Sequence, residues 1–130
     1  MVSIEGYAAP QVHDPPSYAQ AVKVTGAQTL LFIAGQVAYD KDGGPAHGRD
    51  FAAQAREVFR SVQAQVEAGG GSLRNVVKLT AFLTDIRYRT ELAPIREEFF
   101  GPKMPAYTQV AIAALGLPEW LIEVEAIAVL

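Results

Sequence analysis

Two glutamates near the end of the chain could carry acid–base chemistry. Glu123 and Glu125 stand two residues apart in the segment WLIEVEAIA, so on a strand they would share one face with Ile127 and Val129. Carboxylates among apolar side chains are paired with cations, hydrated or functional. A functional carboxylate in this setting would serve as a general base that activates water. The structural alternative, favoured for Glu125, is a salt bridge to a lysine or arginine across the sheet or across an interface.

Other residue types that catalyse reactions are scarce. Tyr107 and Gln109 share one face of a predicted strand, where a tyrosine is more often structural than functional. The histidines, His13 and His47, lie in loops rich in proline or glycine and lack the H-E-x-x-H or H-x-x-H spacing of a metal site. The absence of cysteine excludes disulfides, zinc ribbons, iron–sulfur clusters and a thiol nucleophile. A Ser–His–Asp triad stays open, but no G-x-S-x-G motif supports one.

Composition sets the broad class of protein and disfavours several partners. The chain has 130 residues, of which 50% are hydrophobic and 19% charged, which predicts a single folded domain over residues 1–130. Its net charge of −3 offers no basic surface for nucleic acid or for an anionic membrane. No apolar run approaches the roughly 18 residues of a membrane span, and the N-terminus lacks a signal-peptide pattern. Together with the lack of cysteine, these features favour a cytoplasmic protein.

The elements that must position these residues follow from the apolar periodicity. Apolar residues recur at helical spacing from Phe51 to Val66, which predicts a helix over 50–68 with Asp50 as its N-cap. A second helix is predicted from about Thr90 to the stop at Gly101. Strands are predicted over residues 2–4, 17–24, 29–34, 75–84, 106–114 and 121–129, with the second and third joined as a hairpin around 25–28.

This order predicts an α+β fold of two layers, in which a mixed six-stranded sheet carries both helices on one face. The opposite face would present Phe82, Ile127 and Val129, and it is too apolar to remain in water. We therefore expect that face to pack against another subunit.

Several segments form an ordered series that is shared with one known family. They are SYAQAVKV at 17–24, LFIAGQV at 31–37, the helical segment at 52–70, NVVKLTAFLTD at 75–85, MPAYTQV at 104–110 and LIEVEAIAV at 121–129. In this order they resemble the Rid (YjgF) family of reactive-intermediate deaminases over residues 17–130. Each segment alone is weakly specific, whereas the ordered set is strongly specific.

The resemblance implies a chorismate-mutase-like fold, a homotrimer, and ligand clefts between subunits. It also implies hydrolysis of small-molecule 2-enamine and 2-imino acids to 2-keto acids and ammonia, without a metal or cofactor. The matching positions assign the handling of water to Glu123, the first glutamate of the segment at 121–129. They place Tyr18, Gly35 and Gln36 in the lining of the cleft.

Several departures from the family pattern cluster in the cleft, and one of them removes a charged residue. Tyr107 occupies the position of the arginine that grips the substrate carboxylate in these deaminases, so the chain resembles an Arg-less branch of the family. Arginine gives a charged bidentate clamp, whereas tyrosine gives one neutral hydroxyl, and this loss would weaken carboxylate binding roughly 10- to 150-fold. Tyr107 and Gln109 are then the candidate ligands for another small substrate. Arg87, Arg89 and Arg96 are alternative cations, although each is more simply explained as a solvated helix residue.

Two functions therefore stay open. The first is an imine or enamine hydrolase in which Glu123 activates water. The second is a non-catalytic trimer that binds or senses a small molecule and has lost the clamp. A nuclease function is disfavoured by the acidic charge balance.

Overall fold

The computed structural model describes residues 1–102 and 104–130, and within them the chain forms seven strands and two α-helices. In chain order these are β1 (Ser3–Tyr7), β2 (Tyr18–Ala19), β3 (Ala21–Thr25), β4 (Leu30–Gln36), α1 (Phe51–Ala68), β5 (Val76–Leu83), α2 (Arg89–Phe100), β6 (Met104–Ala111) and β7 (Ile122–Val129). Single turns of 3-10 helix precede β5 at Leu73–Asn75 and α2 at Ile86–Tyr88.

The strands divide between two sheets. Five of them pair in the order β2-β6-β5-β7-β4, with β5 and β6 parallel and β7 antiparallel to both of its neighbours. β1 and β3 pair with each other as a separate two-stranded sheet. The structure confirms the two-layer α+β fold with a mixed sheet, and it corrects the single six-stranded sheet to one of five strands and one of two.

The hairpin predicted around residues 25–28 is wrong. β3 pairs with β1, and β4 pairs with β7 instead. Gly26 turns the chain with a φ of 78°, in the left-handed region that glycine tolerates. The backbone N–H groups of Gln28 and Thr29 then donate to the carbonyl of Leu130 at 2.7 and 3.0 Å. Hydrogen bonds to Leu130 therefore fix where β4 begins, and the local sequence around residues 25–28 does not predict these bonds.

Helix α1 begins and ends where its sequence predicts. The Asp50 side chain accepts a hydrogen bond from the backbone N–H of Ala53 at 3.1 Å, which makes it the N-cap. The apolar stripe from Phe51 to Val66 is buried against the sheet, and Gly69 is the C-cap. This stripe and one face of the five-stranded sheet form the core of the domain.

Gln54 belongs to the buried side of α1, although glutamine side chains are mostly exposed in folded proteins. Its side chain is fully buried and its amide nitrogen donates to the carbonyls of Gly48 and Glu119 at 2.7 and 2.8 Å. Its oxygen accepts from the backbone N–H of Leu121 at 2.9 Å. These three bonds fix the segment that enters β7, the strand that carries Glu123 and Glu125.

The sheet face away from the helices, which we call the open face, is only partly apolar. Phe82 and Ile127 are half-buried there, as predicted, but Val129 is only 3% exposed and is buried within the subunit itself. Exposed apolar side chains on this face instead include Phe32 on β4, at 74% exposure, and Val110 on β6, at 38%. They pair with Ile127 and Phe82 respectively, so the apolar area extends across the sheet.

Neither helix in the described part of the chain combines the length and apolar character needed to cross a membrane.

Candidate functional site

The first group of site residues consists of Glu123 and Gly35, which meet on the open face. The pairing of β4 with β7 shifts register between Ile33 and Gln36, so Ala34 and Gly35 form a bulge. A Cβ atom on Gly35 would overlap the Glu123 carboxylate and would lie only 2.7 Å from its Cδ. The bulge therefore gives the carboxylate space that a residue with a side chain would fill.

The neighbours of Glu123 and Glu125 on the open face are uncharged residues of β5. The lateral neighbour of Glu123 on β5 is Phe82, and the next pair along the same strands is Thr80 with Glu125. Glu123 is half-buried and Glu125 is exposed. In residues 1–102 and 104–130 neither carboxylate makes a salt bridge, so the predicted ion pair of Glu125 does not form across this sheet. An ion pair across a subunit interface stays a prediction.

The second group contains Tyr18, Tyr107 and Gln109. The rings of Tyr18 and Tyr107 are 6.0 Å apart between centroids in an edge-to-face arrangement. The Tyr107 hydroxyl donates to Oε1 of Gln109 at 2.6 Å. Parallel pairing of β2 with β6 brings Tyr18 to this strand, so the structure joins these three predicted residues in one place.

Arg96 on α2 belongs to this second group and is not a solvated helix residue. Its Cζ lies 4.4 Å from the centroid of the Tyr107 ring, and the residue is only 8% exposed. Burial raises the pKa of the Tyr107 phenol, and the neighbouring Arg96 opposes that rise. The spacing in the sequence indicates this burial, because Arg96 follows Leu92 by four residues and precedes Phe99 by three, which places it on the apolar side of the helix.

The other two arginines considered from sequence differ from Arg96. Arg87 is held by Asp85, with Nη2 and Oδ2 2.6 Å apart, and its side chain is 88% exposed. The hydrogen bond from the Arg87 guanidinium lowers the pKa of the Asp85 carboxyl to about 2. Arg89 lines a surface cavity together with Arg96 and is exposed.

The two groups lie on opposite faces of the sheet within one subunit. Tyr107 and Gln109 pair with Leu79 and Ala81, which are core residues on the helix side. Glu123 pairs with Phe82 on the open face, and β5 separates β7 from β6. One subunit therefore brings Glu123 to Gly35 and Tyr107 to Tyr18, but it does not bring the two groups together.

Gln36 does not join Glu123 through its side chain. It pairs with Val124, a core residue, and so follows the helix side of β4. Its amide nitrogen donates to the carbonyl of Ala34 at 2.8 Å, across the bulge. We infer that Gln36 shapes the bulge around Gly35.

The histidines take structural positions. Nε2 of His47 lies 3.1 Å from a carboxylate oxygen of Glu57, and the backbone carbonyl of His13 accepts from Gln20 at 2.9 Å. Within the described residues, no three His, Asp or Glu side chains are grouped so as to hold a metal ion.

The fold and its two groups of side chains define a two-layer α+β domain with a carboxylate on the open face and a stacked arginine–tyrosine pair on the other. The chain belongs to the endoribonuclease L-PSP family, whose sequence profile matches residues 9–130. The membership predicted from the ordered segments, under the family's other name of Rid, is thereby confirmed.

Individual relatives agree with this assignment. A RutC family protein from Pyrococcus horikoshii is 39% identical over 112 residues, which are 85% of either chain. A 3-aminoacrylate deaminase, RutC from Acinetobacter baylyi, is 30% identical over 114 residues, or 88% of this chain and 90% of its own. The crystal structure of a Rid-family protein of unknown function from Yersinia pestis matches with a TM-score of 0.84 and 28% identity, over 98% of both chains.

Proposed function

We propose that this protein hydrolyses a small imine or enamine and that Glu123 is its general base. The observation that carries the proposal is the contact of the Glu123 carboxylate with Gly35, where a strand bulge leaves room for it on the open face. The similarity to a 3-aminoacrylate deaminase supports the same class of reaction. The name endoribonuclease in the family description is not carried over to this chain, because a net charge of −3 disfavours contact with a phosphate backbone.

The reaction needs one base and a positioned water. Glu123 takes a proton from water as the oxygen bonds to the carbon of the C=N group, and the electron pair of the double bond moves to nitrogen. Glu123 returns that proton to the nitrogen, which gives a neutral carbinolamine. Glu123 then takes the proton of the carbinolamine hydroxyl as the carbonyl forms and passes it to the nitrogen as the C–N bond breaks, so that ammonia leaves. An enamine substrate enters the same sequence after it gains a proton at carbon and loses one from nitrogen, which converts it to the imine.

The complete site is built between subunits. Glu123 with Gly35, and Tyr18 with Tyr107, occupy opposite faces of one sheet, so a small ligand cannot touch both groups of the same chain. Packing the open face of one copy against the Tyr107 side of the next would bring the groups together. The exposed Phe32 and Val110 supply apolar area for that contact, and three copies related by rotation close such a ring.

Position 107 sets the choice of substrate. The Tyr107 hydroxyl is engaged with Gln109, and its ring is covered by Arg96. It cannot supply the bidentate charged clamp that an arginine would place on β6. A charged contact with a substrate carboxylate must therefore come from a residue other than Tyr107.

The alternative is a trimer that binds a small molecule without hydrolysing it. A matched pair of variants separates the two functions, because Glu123 and Glu125 share a strand face and the three atoms nearest to a Cβ on Gly35 all belong to Glu123. Glu123→Gln keeps the shape of the side chain and removes the base.

The experiment measures ammonia release above the spontaneous rate from a panel of imines generated in solution. Glu123→Gln is expected to lower that rate about 10²- to 10⁴-fold, and Glu125→Gln to leave it near wild type. Both proteins should retain their unfolding free energy within about 1 kcal/mol. Equal rates for wild type and Glu123→Gln would reject the catalytic proposal and leave the binding function.

A further inference from the structure

Arg96 is a buried cation without a counterion among the residues that the structure describes. The residue is 8% exposed, and its Nε atom has no hydrogen-bond partner in the structure. In the described part of the chain, no carboxylate lies within salt-bridge distance of its guanidinium. A buried charge is costly unless it is paired, so an arginine in this state indicates an anion that the single subunit does not provide.

The side chain is held in place rather than loosely packed. Its guanidinium carbon lies 4.4 Å from the centroid of the Tyr107 ring, a distance typical of a cation–π contact. Tyr107 is itself fixed by its hydroxyl, which donates to Gln109, and by the edge contact with Tyr18. A positioned guanidinium loses little conformational entropy when it binds a carboxylate.

The same arginine opens on a cavity. A shallow surface cavity of about 240 Å³ is lined by Arg89, Thr90, Ala93, Arg96 and Gln109. Gln109 accepts the Tyr107 hydrogen bond at Oε1, and its amide nitrogen carries two N–H donors. The lining thus combines two guanidinium groups, a hydroxyl and an amide, and it contains no acidic side chain.

We propose that Arg96 binds the anionic group of the substrate, in the cavity between α2 and β6. This rests on the proposed function and names its substrate class as small imines or enamines that carry a carboxylate. The cation comes from the helix instead of from position 107 of the strand, and Tyr107 serves as the surface that orients it. Arg96 is a binding residue in this scheme, and Glu123 remains the base.

The test is a binding measurement that does not depend on catalysis. The probes are 2-oxobutyrate, which carries a carboxylate, and 2-oxobutanamide, its neutral counterpart, each titrated by calorimetry into wild type, Arg96→Gln, Arg96→Lys and Arg87→Gln. Arg87 is the matched control, because it is exposed and already paired with Asp85. The Kd for 2-oxobutyrate should rise about 10- to 100-fold in Arg96→Gln, less in Arg96→Lys, and not at all in Arg87→Gln. The Kd for 2-oxobutanamide should be the same in all four proteins.

Three results would overturn the proposal. One is a wild-type protein that does not bind 2-oxobutyrate more tightly than its amide. Another is an unchanged Kd in folded Arg96→Gln. The third is dissociation of the assembly in Arg96→Gln with an unchanged Kd per folded subunit, which would show that Arg96 pairs with a carboxylate of a neighbouring copy.

Failure of this inference and failure of the catalytic proposal give different results. Binding of 2-oxobutyrate that depends on Arg96, in a protein without hydrolytic activity, would retain the anion site and reject the catalytic proposal. Hydrolysis that depends on Glu123, with a KM insensitive to Arg96→Gln, would retain the enzyme and reject the anion site.

Discussion

Replacing Gly35 by alanine should disable Glu123 without unfolding the protein. The added Cβ would lie 2.7 Å from Cδ and 2.9 Å from Cγ of Glu123, both shorter than real Cβ contacts. Gly35 does not have a positive φ, so alanine can adopt its backbone conformation without strain. The carboxylate of Glu123 is the part that must move.

The effect on stability is expected to be small because two contributions oppose each other. Moving the Glu123 side chain away from its preferred rotamer costs about 0.5–1.5 kcal/mol. Alanine restricts the unfolded chain relative to glycine, which stabilises the folded state by about 0.4–1 kcal/mol. The net change in unfolding free energy should therefore stay within about 1 kcal/mol. A catalytic group displaced by about 1 Å loses on the order of 10²-fold in rate.

The assay is a double-mutant cycle on Gly35→Ala and Glu123→Ala. Denaturant unfolding should show a favourable coupling of about 0.5–1.5 kcal/mol, because removing the Glu123 carboxylate relieves the overlap. Imine hydrolysis should fall in both single variants and should not fall further in the double variant. Additive unfolding free energies, or full activity in Gly35→Ala, would refute the contact on which the proposed site is built.

Three further predictions follow from single contacts. Gln54→Leu removes three hydrogen bonds to backbone groups, one of them buried, and should lower the unfolding free energy by about 2–5 kcal/mol in a denaturant titration. The half-buried Gln63, whose amide bonds only the Glu67 side chain in the described structure, is the control, and Gln63→Leu should change the unfolding free energy by less than about 0.5 kcal/mol. Phe32→Ser should weaken a trimer that wild type forms in sedimentation experiments, because Phe32 is 74% exposed on the open face; a wild-type monomer at micromolar concentration would contradict the assembly. Burial raises the pKa of the Tyr107 phenol in the folded protein. The stability that this shift contributes is present below the unfolded pKa of about 10 and is lost as the pH rises through the folded pKa. The unfolding free energy of Tyr107→Phe should therefore fall less than that of wild type above about pH 10, and equal pH profiles of the two proteins would contradict this.

The sequence predicts the parts of this fold that depend on local pattern. The helical spacing from Phe51 to Val66, with an N-cap at Asp50, locates α1 because both signals act within a few residues. The alternation around Glu123 places it on the face away from the helices, since adjacent residues of a strand point to opposite sides.

The features that the sequence does not predict depend on partners that are distant along the chain. The start of β4 is decided by hydrogen bonds to Leu130, and the burial of Gln54 by backbone groups more than 60 residues away. Helical spacing places Arg96 on the apolar side of α2, but its contact with the ring of Tyr107 joins two elements and is not a local pattern. The separation of Tyr107 from Glu123 follows from the pairing of β5 with β6 and β7, which only the folded sheet fixes.

Complementation between two inactive variants tests most directly whether the site is shared between subunits. Glu123→Gln removes the base from the open face, and Tyr107→Ala removes the support from the helix side. Refolding the two variants together at equal concentration should give mixed trimers, in which about a quarter of the sites combine an intact group from each chain. We expect about a quarter of the wild-type rate of imine hydrolysis from the mixture, and a far lower rate from either variant alone. A mixture with no more activity than its components would contradict a site built from both faces.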